Sequence, residues 1–448
     1  MSALDELAQA AATTSWTDAP EDVRRRTLDL VGDVVAVCAL GSGRAELAAL
    51  GDSFATATPE GPATAIGTSR GWPAASAAFL NGCSVAADQL QDGHRLARGH
   101  PASHTTPAAL AIAETIGAST AELLSAVLAG YEVGARLGVA MGGTPDGVHD
   151  IGTWGQVAAS AAVARLLAPN DAPAMRRAIE LSAAAVLLTD AGTVFGGHSG
   201  SHAFLGLSVQ HGLTAAQAAV AGLAPRAGSL ERHFLRVAAA QPVGLDLGLS
   251  NGRFGRWQII GGYLKRFPTC AHLHGVNDAV DELIGRGVTG ADVAAVTVDA
   301  FAGAARFDTV ADDELAARFS VPTTVALALR HGRLDESVVT DELVRAVRPL
   351  AETVTVRHDP ALDAGYPAGR PARVTVVLRD GRTESAEAGR PHWDAESAPE
   401  PGGVRAKRDR LLASRFGDPR ARVIGDVLDH LPDRDVPALT AALRAAAG

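Results

Sequence analysis

The chain is nearly without lysine. Of 40 Lys and Arg side chains, only Lys265 and Lys407 are lysines. A lysine that persists among arginines suggests a place where a compact ammonium with a movable pKa is wanted and a guanidinium fork is not. Lys407 lies in RAKRDRLL, which reads as an exposed helix face, whereas Lys265 lies in IIGGYLKRFPTCAHLH, beside apolar residues, a proline and two histidines. Cysteine is also scarce. Cys38, Cys83 and Cys270 are far apart and odd in number, which excludes a disulfide framework and fits a reducing compartment. No CxxC, HExxH, Walker loop, Rossmann fingerprint or nucleophile elbow occurs, and this argues against nucleotide cofactors. Basic runs and aromatic stacking platforms are missing, and a net charge of −10 argues against nucleic acid as a partner. No apolar run approaches about 18 residues, so no membrane span is expected. The opening MSALDELAQAAATTSW lacks the basic start and apolar core of a signal peptide, so the expected location is cytoplasmic.

What remains is a 448-residue chain with 47% hydrophobic and 20% charged residues, enough for two or three domains with real cores. To about residue 265 nearly everything reads as Ala-rich helix: 21–40, 72–90, 106–117, 120–141, 153–168, 172–188 and 203–222. The pattern then changes. A helix at 272–286 precedes a strand at 294–301, a helix at 321–331 and a strand at 353–359. Residues 372–388 follow as a hairpin turning at Asp380-Gly381. Helical pattern returns at 404–448. The expected fold is mainly α with an inserted α+β domain: a large helical domain from residues 1–266, a smaller α+β lid from 267–392, and C-terminal helices from 393–448 returning to the first domain.

Four segments carry candidate chemistry. Residues 81–114 place Asp88, Asp92, His94, His100 and His104 between apolar helices, with Gly93, Gly99, Pro101 and Pro107 breaking the helix between them. Polar, titratable groups between buried helices are costly unless they line a cavity. Histidine suits proton transfer near neutral pH. His149 lies just before a helix start at Gly152-Thr153, where a helix N-terminus favours carboxylates. In 190–213 five glycines fall within residues 192–206, and His198 and His202 are four apart, on one face if the segment is helical. Without a neighbouring carboxylate this spacing is a poor metal site. In 265–280, Lys265 and Arg266 can pair with carboxylates. A loop-to-helix entry there would turn His272 and His274 apart, leaving at most one of them in a site.

Taken together, NG at 81–82, HPASHTTPAALAIAE, GYEVGARLGVAMG, HDIGTWGQVAASAAVARLL, KRFPTCAHLH and FSVPTTVALAL resemble, in order and nearly end to end, the MmgE/PrpD family, which includes 2-methylcitrate dehydratase and cis-aconitate decarboxylase. The resemblance implies a helical domain with a smaller α+β lid, a homodimer, no nucleotide and no metal. It also implies that His100, His149 and Lys265 surround a di- or tricarboxylate and move protons at carbon. The chain departs from the family pattern at three places. The acidic run resembling LDFDDTH is here DQLQDGH, so Gln89 replaces the first Asp while Asp88 and Asp92 remain. A lysine common in the segment matching 200–206 gives way to Ser201 and His202, and a tyrosine after FS-x-P is Thr323. The expected activity is that of a cofactor-independent lyase of dehydratase type acting on a small carboxylate. The alternatives are an isomerase, epimerase or decarboxylase on the same scaffold, or a non-catalytic small-molecule-binding homologue. His100, His149 and Lys265 are the expected catalytic groups. Asp88, Gln89, Asp92, His94, His104, Ser201, His202, Arg266, His272, His274 and Thr323 are the expected substrate contacts.

Overall fold

A computed structural model describes residues 2–245, 248–250 and 252–444. Alanine lets helix axes approach closely, and the first part of the chain uses it that way. Trp154–Leu167 runs through the centre, against Pro101–Ile116, Thr120–Met141, Ala172–Ala184 and Gly200–Val220. Gly130 marks one such approach: a Cβ there would fall 2.6 Å from the Ala158 carbonyl oxygen. Thr120–Met141 starts on a capping box between Ser119 and Glu122 and ends at Gly142, whose φ is 61°. It is the one described helix that passes for a membrane span by length and composition alone, but 94% of its apolar window is buried inside the protein. It is a core helix.

Pro107 does not break its helix as expected. Pro101–Ile116 runs through it, with Pro101 in the first turn where a missing N–H costs nothing. An interior proline costs roughly 3 kcal/mol, and burial of nearly every side chain in this helix outweighs that. The helix at 172–188 stops earlier than its pattern suggested, at Ala184.

The fold is mainly α with a smaller α+β part. Four strands form one sheet in the order Val354–His358, Val293–Ala300, Ala372–Leu378, Thr383–Ala388. The first pair is parallel and the others antiparallel. Gly381 takes φ 87° in the hairpin turn. Val296, Val298, Val374 and Val376 are buried, and His274–Gly285 packs on the Ala372–Leu378 and Thr383–Ala388 strands. The chain then returns: Gly403–Phe416 packs on Glu21–Gly41, and Val436–Leu443 on Pro101–Ile116.

Lys407 corrects the sequence reading. It is buried, 2.7 Å from Asp33 of the Glu21–Gly41 helix, and donates to the Leu90 carbonyl at 3.0 Å. Its helix is polar on most faces, and the one lysine turns inward because a buried carboxylate waits there.

Candidate active site

Two local pairings bring distant segments together. Gly93–His94 pairs antiparallel with Gly262–Tyr263. The approach to that pairing is fixed by buried Glu132, which accepts from the backbone N–H of Gln258 at 3.0 Å and of Ile259 at 2.9 Å. This lays Lys265 against the 88–104 segment. Val148–His149 pairs with Thr189–Asp190, which lays His149 beside the glycine-rich segment. Between these pairings and the α+β part opens a cavity of about 590 Å³. Gln89, Gln91, His100, His149, Lys265 and His272 line it.

Lys265 is 1% exposed. Its ammonium donates to Gln89 Oε1 at 3.3 Å and reaches Gln91 Oε1 at 3.5 Å. Both are neutral amides, and no carboxylate among the described residues pairs with it. Burial pushes its pKa down to about 7. A bound carboxylate would restore the preference for the ammonium.

His100 Nδ1 lies 2.6 Å from the Asp92 carbonyl oxygen. A carbonyl only accepts, so Nδ1 carries the proton and Nε2 keeps its lone pair. Burial, then the Lys265 charge, hold this histidine well below its ordinary pKa. Its ring is held neutral. His149 is arranged differently. Its Nδ1 accepts from the Ile151 N–H at 3.3 Å and lies 3.1 Å from Asp150 Oδ1. Burial and Lys265 push His149 down to about 3, while burial raises Asp150 to about 7. The pair is therefore a neutral imidazole beside a carboxyl poised to be protonated. Asp150 Oδ2 has no hydrogen-bond partner and packs on Gly99, where a Cβ would fall 2.1 Å away.

The other expected contacts lie off this cavity. The Asp92 carboxylate caps the Pro101–Ile116 helix, accepting from the N–H groups of Ala102 and Ser103 and from the Ser103 hydroxyl at 2.9, 2.9 and 2.6 Å. Asp88 clamps the two parts of the molecule together. Its Oδ1 accepts from Arg44 at 2.6 Å and from Arg318 at 2.9 Å. Burial alone would raise its pKa, but Arg318 and Arg44 outweigh that and hold it down. His94 Nδ1 accepts from Ala97 N–H at 3.1 Å, with Tyr131 edge-on to its ring. His104 bridges the carbonyl oxygens of His100 and Ile151 at 2.8 and 3.1 Å, with Trp154 beside it. Both histidines position the segment.

The Gly200–Val220 helix begins after His198, so His198 stays exposed outside it and His202 is buried in its first turn. The expected shared helical face does not form. His202 sits in the field of Arg44 and Asp88, and neither of its ring nitrogens is hydrogen-bonded; the buried Ser201 hydroxyl is also unpartnered. Arg266 pairs outward with Asp278 and Asp281 at 3.3 and 2.7 Å. Thr323 accepts from the Ala311 N–H at 2.9 Å and bonds Ser320 at its own helix start. His272 and His274 diverge as expected of a loop-to-helix entry: His272 lines the cavity, and His274 packs on Phe267.

Several cavity residues were not anticipated: Gln91, Asp150, Arg370, Arg306, Phe195 and Tyr366. Asp150 left a signal, since it follows His149 directly at a helix start. Gln91 and Phe195 lie inside the segments 81–114 and 190–213 already singled out, whereas Arg370, Arg306 and Tyr366 are gathered only by the crossing of the chain. Among the described residues, no group of three or more His, Cys, Asp or Glu is arranged to hold a metal ion.

The chain belongs to the MmgE/PrpD family: the MmgE/PrpD N-terminal domain matches residues 5–238 and the MmgE/PrpD C-terminal domain residues 267–432. It is similar to the cis-aconitate decarboxylase-like protein oryM of Aspergillus oryzae, 33% identical over 178 residues, covering 37% of this chain and 37% of that protein. It is also similar to a cis-aconitate decarboxylase of Aspergillus terreus, 25% identical over 306 residues, covering 63% of this chain and 60% of that protein. The match thus spans less than two thirds of the length of either relative.

Proposed function

We propose that this protein is a cofactor-independent lyase that acts on a small carboxylate by removing a proton from carbon. The observation that carries the reading is a fixed tautomer beside a cation without a counter-charge. His100 keeps its Nε2 lone pair because Nδ1 donates to the Asp92 backbone carbonyl, and Lys265 hydrogen-bonds only to the Gln89 and Gln91 amides, beside the Cys270 thiol, in the same cavity. The substrate carboxylate binds Lys265. His100 Nε2 takes the proton from the adjacent carbon, and the electron pair passes into the carboxylate as an enediolate, which Lys265 stabilises. In a dehydration the pair then returns and expels a β-hydroxyl. His149 delivers its Nε2 proton to that oxygen, Nδ1 takes the proton of the Asp150 carboxyl, and water leaves. The histidine ends neutral and Asp150 ends as a carboxylate.

A second reading, decarboxylation, is favoured by the names of the relatives. There the bond to a carboxylate breaks, carbon dioxide leaves, and the same relay protonates the carbon. We further propose that residues 267–392 act as a lid over the site and that the protein works as a homodimer in the cytoplasm, with no nucleic-acid partner.

The test is product analysis with a panel of β-hydroxy and β,γ-unsaturated carboxylates in deuterium oxide. Water loss or carbon dioxide release that vanishes in His100→Gln supports the reading. Exchange of solvent deuterium with inversion and no net product would make the protein an epimerase. Binding without turnover or exchange would make it a non-catalytic homologue.

A further inference from the structure

The cavity has two unlike ends. Its floor holds Lys265, His100 and the two glutamines. Outward from His149 runs a continuous wall of rings. Phe195 lies 5.0 Å from the His149 ring and 6.5 Å from Phe319. His272 lies 5.7 Å from Phe301 and 5.8 Å from Tyr366, which stack on each other at 5.1 Å. Phe195, Phe301, Phe319 and Tyr366 all line the cavity, in a chain that is only 4% aromatic. The rim arginines are laid flat on this wall, Arg306 4.4 Å over Phe195 and Arg98 5.6 Å over Tyr366.

A compact tricarboxylate does not suit such a space. Aromatic faces are negative and repel a carboxylate except where Arg306 and Arg98 lie over Phe195 and Tyr366. The deeper arginine, Arg370, already faces Asp394 at 3.5 Å. Ser201, His202 and Thr323, which stand where the family resemblance places a lysine and a tyrosine, are uncharged or turned away from the cavity. The floor therefore offers one uncommitted cation. A volume of about 590 Å³ falls within the range of roughly 300–1,000 Å³ that encloses ligands larger than a tricarboxylic acid.

We infer that the substrate is a carboxylate carrying a flat apolar body, such as an aryl group, with its carboxylate on Lys265 and its body along the wall of Phe195, Phe301 and Tyr366. The inference rests on the carboxylate-binding reading of Lys265 given above, and it adds what the rest of the molecule must look like. A flat body is one that the exposed guanidiniums of Arg306 and Arg98 and the half-buried rings of Phe195 and Tyr366 can stack on.

Matched probes test it. Binding of succinate, 2-benzylsuccinate and tricarballylate is measured by titration calorimetry on the whole protein, on Lys265→Met, and on Phe195→Leu and Tyr366→Leu. Both rings are half-buried, and each replacement keeps apolar bulk. The expected result is that benzylsuccinate binds at least tenfold tighter than succinate and tighter than tricarballylate. The wall variants should lose most of that increment with succinate unchanged, and Lys265→Met should weaken all three. If carboxylates bind through Lys265 but the benzyl group adds less than twofold, or tricarballylate binds best, the flat-body inference fails while the lyase reading stands. If no probe binds in a Lys265-dependent way, both fail.

Discussion

The Asp150 carboxyl lies 3.1 Å from His149 Nδ1, close enough to pass its proton into the ring. The two residues are neighbours in sequence, and the turn at Asp150–Gly152 folds the carboxyl back onto the ring before the Trp154–Leu167 helix begins. A buried acid behind a neutral histidine makes a proton donor of a ring that would otherwise have to become an anion.

The proposed relay sets the expected pH dependence. Burial raises Asp150 to about 7, so its proton is present below that pH and lost above it. kcat should therefore fall as pH rises through about 7. Lys265 titrates near the same pH in the free protein, but a bound carboxylate raises it, so its loss belongs to kcat/KM. Asp150→Asn keeps the shape of the side chain and has no proton to give. It should lower kcat by about 10²-fold, the lower end of a general acid's contribution, and remove the limb near 7 from kcat. An unchanged kcat profile in Asp150→Asn would rule the relay out.

Lys265→Ala should cost roughly 2–4 kcal/mol of transition-state stabilisation, the scale of one preorganised donor. Lys265→Arg should also be poor, because a fork cannot fit the space between the Gln89 and Gln91 amides. Both variants should fold, as circular dichroism would show. A wild-type rate and Michaelis constant in Lys265→Arg would remove Lys265 from the site.

Lys407 should matter first for stability. Lys407→Met leaves Asp33 buried without its cation, a change of about 3–5 kcal/mol. The denaturation midpoint should drop, while activity per folded molecule changes only through the Lys407 charge, which lowers the Lys265 pKa, and its bond to the Leu90 carbonyl between Gln89 and Gln91. Asp33→Leu combined with Lys407→Met should recover most of the loss, because an apolar pair needs no counter-charge.

Chelation should leave activity intact. The expectation rests on the ring and amine chemistry of His100, His149 and Lys265, which needs no Lewis acid. Prolonged dialysis against a chelator, followed by assay and elemental analysis, checks it. Loss of activity that zinc or iron restores would contradict it.

In solution the protein should be a homodimer, with light scattering giving about twice the chain mass of 45.8 kDa. A single-chain mass at micromolar concentration would refute this.

The coarse plan was open to reading because periodicity records it. The shift from helical spacing to alternation, and the Asp380-Gly381 turn, mark the α+β part directly in the sequence. The scarcity of lysine singled out Lys265, and proline and glycine punctuation set off the segment holding His100. Side-chain direction was another matter. Lys407 stands in a polar helix, and only the position of Asp33 on a distant helix turns it inward. Asp92 and His104 look like ligands until their partners are seen: for Asp92 the N–H groups at the start of Pro101–Ile116, and for His104 the carbonyls of His100 at that same start and of Ile151 before Trp154–Leu167. His198 and His202 have the spacing of a helical face, but the helix begins between them. Arg370, Arg306 and Tyr366 carry no local signal, because they reach the cavity only through the packing of one part of the chain on the other.

The seam between those parts divides the labour of the cavity. The groups proposed to handle protons, His100, His149 and Asp150, come from the helical part, and three of the four wall rings, Phe301, Phe319 and Tyr366, come from the α+β part. Lys265 sits at the junction. On the proposed roles, chemistry and choice of substrate would be inherited on separate stretches of gene. Recombination between relatives near residue 266 could retune what the protein accepts while leaving untouched what it does to it.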